Sequence, residues 1–272
     1  MVTSISNKTL KEIIKDEYLR CAKDSTYFIK KYCIIQHPVK GKIPFQLWQF
    51  QEEVVNLFRK NRFSIILKAR QLGISSLVAG YALWLMLFHG DKKILVIATK
   101  QGVAKNLVTK VRVMHSNLPT WLKGKCIADN KLSLEFANGS SILAEAASPE
   151  AGRSEALSLL ILDEAAFIDY IDTIWAAAAM TLATGGDAIV LSTPNGVGNL
   201  LHKRHQPMHH RSYSTPLNCI GRFIQNAIKH GEMNKISYLG RGRPHKSVTA
   251  TLSVQVKRWL RVPSSSGMKT PV

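Results

Sequence analysis

Acidic residues are missing where the chain is most basic. From His205 to Val272 there are eleven Lys and Arg but one acid, Glu232, and no Asp. That leaves nothing in this stretch from which to build a carboxylate-rich metal site. Cysteine is sparse too. Cys21, Cys33, Cys126 and Cys219 stand far apart, with no CxxC pair and no His at zinc spacing. Neither a disulfide framework nor a zinc knuckle is expected, and the four read as incidental thiols of a reducing compartment. Long apolar runs are absent as well. The longest, residues 77–88, is too short to cross a bilayer and reads as a buried helix. No apolar segment follows the polar start at residues 1–7, so no secretory signal and no membrane partner are expected.

What is present is a chain of 272 residues, 46% apolar, long enough for one large or two modest domains. Its formal charge of +19 calls for an anionic partner, most naturally nucleic acid. A protein that is merely basic carries the same charge, so charge alone names no partner.

The centre of the sequence is Ser64-Ile65-Ile66-Leu67-Lys68-Ala69-Arg70-Gln71-Leu72-Gly73-Ile74-Ser75-Ser76. A β-rich run stops at a basic, Gly-containing turn and an apolar helix follows. That order builds a P-loop, where free N–H groups and a helix N-terminus converge on a polyphosphate. Ser75 stands where a P-loop hydroxyl binds Mg²⁺. The usual Lys after the second Gly is replaced by Ile74, and the cation comes instead from Lys68 or from Arg70.

Around this loop, residues 9–32 have helical spacing, with Leu10, Ile13, Ile14, Tyr18, Leu19 and Phe28 able to share one face. His37-Pro38 and Gly41-Lys42 end that pattern. Residues 44–51 lead into a second amphipathic helix that ends near Arg62. Residues 93–99 form a short apolar run typical of a parallel strand covered on both faces, followed by a helix over 101–114. Residues 130–137 and 141–146 read as strands joined at Asn138-Gly139. A buried strand over 157–162 ends in Asp163-Glu164, and another ends in Ser192-Thr193-Pro194. Strands alternating with helices give an α/β fold with a mainly parallel sheet, whose ligands gather beyond the strand carboxyl ends. Lys68, Asp163 and Ser192 all fall at such ends.

Those residue types suit nucleotide hydrolysis, which needs a held phosphate chain, a metal, a cation and a group to orient water. Asp163 suits Mg²⁺, and Glu164 can polarise the attacking water. Two adjacent acids at a buried strand end are costly without a cation, although they also fit two acids simply leaving a strand. Gln51 has an amide able to pair with adenine, or is an ordinary helix glutamine. Arg153 fits either an arginine finger or a loop ion pair. Ser192 and Thr193 fit either γ-phosphate sensors or a strand-to-turn cap.

Taken together, residues 45–51, residues 68–75, residues 159–164 with Ala165-Ala166-Phe167-Ile168 behind them, and Ser192-Thr193-Pro194-Asn195-Gly196 resemble the ATPase domain of the large terminase subunit of tailed bacteriophages. They stand in the family's order within about residues 15–204. The resemblance implies a P-loop NTPase of the ASCE/RecA-like type that uses ATP and Mg²⁺ to drive double-stranded DNA into a procapsid. It implies a homo-oligomeric ring on the portal protein, a small terminase subunit as partner, and a place in the host cytoplasm rather than the mature virion. By the same resemblance, Gln51 recognises adenine and Lys68, Ala69, Arg70, Gln71, Leu72, Gly73, Ile74 and Ser75 form the phosphate loop. Asp163 holds the metal with Ser75, Glu164 is catalytic with Arg153 as a finger, and Ser192 and Thr193 couple hydrolysis to movement.

The expected organisation is an N-terminal helical extension over 1–44, an ATPase domain over 45–204 and a poorly structured basic tail over 205–272. Large terminases usually continue into a nuclease domain that needs several carboxylates. With Glu232 alone after residue 204, no nuclease activity is expected. A helicase-like P-loop ATPase and a non-catalytic DNA-binding protein with a degenerate loop are the competing readings.

Overall fold

The computed structural model describes residues 8–153 and 156–195, and the backbone of 253–256. Five strands form the parallel heart of an eight-stranded sheet. They are β3 (Phe63–Leu67), β4 (Lys93–Ala98), β7 (Ser141–Ala146), β8 (Leu159–Asp163) and β9 (Asp187–Ser192). With β5 (Cys126–Asp129), β6 (Ser133–Phe136) and β10 (Ser253–Val256), the order across the sheet is β10-β3-β9-β8-β4-β7-β6-β5. The three added strands pair antiparallel, so the mainly parallel sheet of the sequence reading has antiparallel margins.

Alternation along the central strands shows why both faces are covered. Ile94, Val96, Leu159, Ile161, Ile189 and Leu191 enter one core, while Leu95, Ile97, Leu160, Leu162, Ala188 and Val190 enter the other. A side-chain period of two, apolar on both phases, forces a layer of helices on each side. The first core is closed by α2 (Ser25–Tyr32), α3 (Gln49–Lys60), α4 (Ile74–Phe88) and α5 (Gln101–Ser116). The second is closed by α6 (Ile171–Thr181). Helix α4 is apolar nearly all round, and Gly80 lets Ile29 of α2 come against its backbone.

The N-terminal region differs from its sequence reading in two ways. The single helix over 9–32 is broken at Asp24. This residue ends α1 (Leu10–Lys23) and caps α2, its carboxylate accepting from Thr26 and Tyr27 N–H. Aspartate competes for the backbone in this way wherever a helix can restart. As a result Leu10, Ile13, Tyr18 and Leu19 are exposed, and only Phe28 of the expected face is fully buried. The second difference is that the supposed break at 33–44 is a hairpin of β1 (Ile34–His37) and β2 (Gly41–Pro44). The two helices are tied by Glu17, whose Oε1 accepts from Tyr27 Oη (2.8 Å), Lys31 Nζ (2.7 Å) and Tyr32 Oη (2.8 Å). Burial pushes this carboxyl up, but those donors outweigh it and hold it at about 2.

Strand β5 and helix α6 were not anticipated. Within the segment read as a poorly structured tail, Ser253–Val256 lies antiparallel to β3. The rest of 205–272, including Cys219, lies outside the described residues. Among the described residues no helix is long and apolar enough to cross a membrane.

Candidate nucleotide site

Four strand ends meet at one edge of the sheet. Register pairs Leu67 of β3 with Ser192 of β9, and Ala98 of β4 with Asp163 of β8. The Lys68 N–H donates to the Ser192 carbonyl at 2.9 Å, which continues the β3–β9 ladder by one residue into the loop.

Between Lys68 and α4 the backbone turns through two left-handed residues, Gln71 (φ 65°) and Gly73 (φ 69°). A Cβ on Gly73 would lie 2.8 Å from Gln51 Nε2, so a side chain here would be strained by its own backbone and would displace the Gln51 amide. Gln51 reaches the loop from α3. Its Nε2 donates to the Leu72 carbonyl at 2.9 Å and its Oε1 accepts from the Trp48 N–H at 3.0 Å. The residue is 2% exposed, so both ends of the amide already tie the loop to the start of α3.

At the mouth of the loop, Asp163 gathers the partners. Ser75 Oγ donates to Asp163 Oδ2 at 3.2 Å, Lys68 Nζ is 3.8 Å from Oδ1, and the Glu164 N–H donates to Oδ1 at 3.0 Å. Asp163 is 6% exposed, and the nearby ammonium offsets much of the cost of burying its charge. The two candidate cations separate clearly: Lys68 is largely enclosed and paired with Asp163, whereas Arg70 is exposed. Ile74 has gone the other way. It is 1% exposed and belongs to the first core, so its side chain packs beneath the loop instead of lining it.

Glu164 follows Asp163 in a left-handed conformation, φ 55°, and is half-buried. A non-glycine residue held there costs energy that the surrounding structure must repay, which is common at functional sites. The chain then makes a short 3₁₀ turn, Ala165–Phe167. Ser192 is fully buried at the end of β9, where its hydroxyl donates to the Thr193 carbonyl at 2.8 Å and accepts from the Ala166 N–H at 3.0 Å. Asn195 adds a bond from Nδ2 to the Ala166 carbonyl at 3.0 Å. Asn195 stood in the sequence only as part of the Ser192-Thr193-Pro194-Asn195-Gly196 block, with no role of its own.

Arg153 is not drawn into this cluster by an ion pair. Its guanidinium is largely exposed and pairs with Glu150 Oε2 at 2.6 Å. The structure therefore brings together Gln51, Lys68, Gly73, Ser75, Asp163, Glu164 and Ser192, and leaves Arg70 and Arg153 at the surface.

Among the described residues no group of three or more His, Cys, Asp or Glu could hold a metal unaided. The hydroxyl of Ser75 and the carboxylate of Asp163 converge, however, and these are hard oxygen donors. That set fits Mg²⁺, which keeps few protein ligands and fills its octahedron with water and phosphate oxygens.

A family described as terminase large subunit, T4likevirus-type, N-terminal, matches residues 65–207, more than half of the chain, and the chain belongs to that family. The large terminase of bacteriophage HK97 superposes with a TM-score of 0.54 at 18% identity, over 78% of this chain and 42% of that one, which shows a shared fold. The large terminase ATPase domain of Thermus phage P74-26 matches at 22% identity and TM-score 0.44, covering 57% of this chain and 67% of the other. The large terminase of another thermophilic bacteriophage, solved in complex with ADP, matches at 13% identity and TM-score 0.46, covering 58% of this chain and 41% of the other. The chain thus spans about two fifths of the HK97 protein and of the ADP-bound one.

Proposed function

We propose that this chain is the ATP-hydrolysing part of a viral DNA-packaging motor, with residues 45–204 as its ATPase unit. The observation that carries this reading is the meeting of Lys68 and Ser75 on one carboxylate, Asp163, at the mouth of a glycine-turned loop. A triphosphate lies along Lys68–Ser75, cradled by backbone N–H groups at the start of α4. Lys68 supplies the cation for its terminal oxygens. Ser75 and Asp163 hold Mg²⁺, which when bound neutralises charge on the β- and γ-phosphates. Glu164 orients and polarises the attacking water.

Gln51 keeps one N–H and one lone pair to offer an adenine edge, but a base must open its enclosed corner to reach them. Gln51 would thereby link base binding to the shape of the loop. The exposed Arg153 suits a role on a neighbouring subunit's nucleotide, as expected of a ring. Double-stranded DNA is the substrate moved, and the portal protein and small terminase subunit are the partners. Ser192 and Thr193 pass loss of the γ-phosphate to the rest of the domain.

The test is phosphate release by the full chain with ATP, Mg²⁺ and duplex DNA. Release that stops on chelation of Mg²⁺ is expected. No release with or without DNA, alongside salt-sensitive DNA binding indifferent to nucleotide, would instead favour a non-catalytic DNA-binding protein.

A further inference from the structure

We infer that Asn195 is a positioning residue for Glu164, acting with Ser192 as a two-point clasp on the Ala166 peptide. The inference rests on the role given above to Glu164 and goes beyond it, because it identifies what holds that carboxylate in place.

Both polar groups of Ala166 are taken by the end of β9 and the residues behind it. Its N–H goes to Ser192 Oγ at 3.0 Å and its C=O accepts from Asn195 Nδ2 at 3.0 Å. The direction of the first bond is fixed, because a backbone N–H can only donate and Ser192 Oγ accepts. That leaves the one Ser192 proton for the Thr193 carbonyl, at 2.8 Å. The same Ser192 uses its backbone carbonyl to accept from the Lys68 N–H at 2.9 Å. A single buried residue therefore holds the first residue of the phosphate loop on one side and the turn behind Glu164 on the other.

Glu164 needs such support. Its left-handed backbone is uphill for a residue with a side chain, and relaxation of that φ would change the direction in which the carboxylate leaves the chain. The 3₁₀ turn that follows offers the Phe167 N–H to the Glu164 carbonyl at 2.9 Å, so Ala166 sits inside the turn that Glu164 opens. Pinning both sides of Ala166 fixes the turn and hence the direction in which Glu164 leaves it. Of the two pins, Ser192 is rigid, being fully buried in a strand. Asn195 is exposed and three residues further along, so it is the arm through which the chain beyond β9 can act on Glu164.

Asn195→Asp tests the clasp with nearly unchanged shape, because the carboxylate cannot donate to the Ala166 carbonyl. Three quantities are compared with the unsubstituted chain: hydrogen exchange across Ala165–Phe167 without nucleotide, affinity for an ATP analogue, and turnover. Exchange should quicken several-fold and turnover should fall by about 10- to 100-fold, the scale set by a misplacement near 1 Å. Analogue affinity should stay within about twofold, since no phosphate contact is lost. Asn195→Gln, which restores a donor, should recover part of the turnover. Full turnover in Asn195→Asp, unchanged exchange, or a parallel loss of affinity and turnover would each overturn the inference. If the unsubstituted chain does not hydrolyse ATP, the function proposed above fails instead, and the exchange comparison still decides whether the clasp exists.

Discussion

Glu164→Gln is expected to lower ATP turnover by about 1,000-fold, the middle of the range for removing a group that handles the proton of an attacking water. ATP should still bind. The Glu164 side chain makes none of the hydrogen bonds that join Lys68, Ser75 and Asp163. Its one link to that group is its backbone N–H on Asp163 Oδ1, which glutamine keeps. Glutamine also preserves volume, so the left-handed turn is under no new load. Measured by phosphate release beside equilibrium binding of an ATP analogue, the substitution should separate the two quantities. Equal turnover would remove Glu164 from the mechanism, and loss of both together would place it among the binding groups.

Ile74→Lys puts back the lysine of the common phosphate loop, and it is expected to damage this protein. The Ile74 side chain is 1% exposed among the residues of the first core, beneath the loop rather than at its mouth. An ammonium forced into that space has no partner there and must either be buried or drag the start of α4 outward. A loss of about 3–5 kcal/mol is the usual scale for an uncompensated buried charge. For a domain of this size that corresponds to a fall in melting temperature of roughly 10 °C. Thermal unfolding with analogue binding reads both effects. An unchanged melting temperature with tighter nucleotide binding would mean that the position still faces the phosphates.

On the function proposed here, Lys68 would stand in for that lysine because of the geometry of the loop's two ends. Lys68 leaves β3 directly beside β9, and its ammonium reaches the carboxylate that Ser75 meets from α4. A cation at the start of the loop and a hydroxyl at its end therefore meet on one carboxylate.

Much of this was legible in the sequence because it depends on local pattern. Apolar runs ending in Lys68, Asp163 and Ser192 announce buried strands, and parallel strands put their carboxyl ends on one edge. The choice between Lys68 and Arg70 was not legible, since it turns on which side chain points inward. Nor was the fate of Ile74. At the first position of an apolar helix it reads equally well as a loop residue or as the start of a buried face. The break at Asp24 was not read from the 9–32 pattern, because it depends on its carboxylate winning the Thr26 and Tyr27 N–H groups. Strand β5 and helix α6 carry weak patterns and are held by packing against the sheet and its second core. The clasp on Ala166 joins residues nearly thirty positions apart, and no spacing rule could have displayed it.

The central claim is that loop and strand-end acid share one ion and one triphosphate. It is tested most directly by titrating an ATP analogue, with Mg²⁺ and with Mg²⁺ chelated, into the unsubstituted chain and into Asp163→Asn. Mg²⁺ should tighten binding to the unsubstituted chain by at least tenfold, and that dependence should disappear in Asp163→Asn. Binding that is indifferent to Mg²⁺ in the unsubstituted chain, or a full Mg²⁺ dependence surviving in Asp163→Asn, would contradict it.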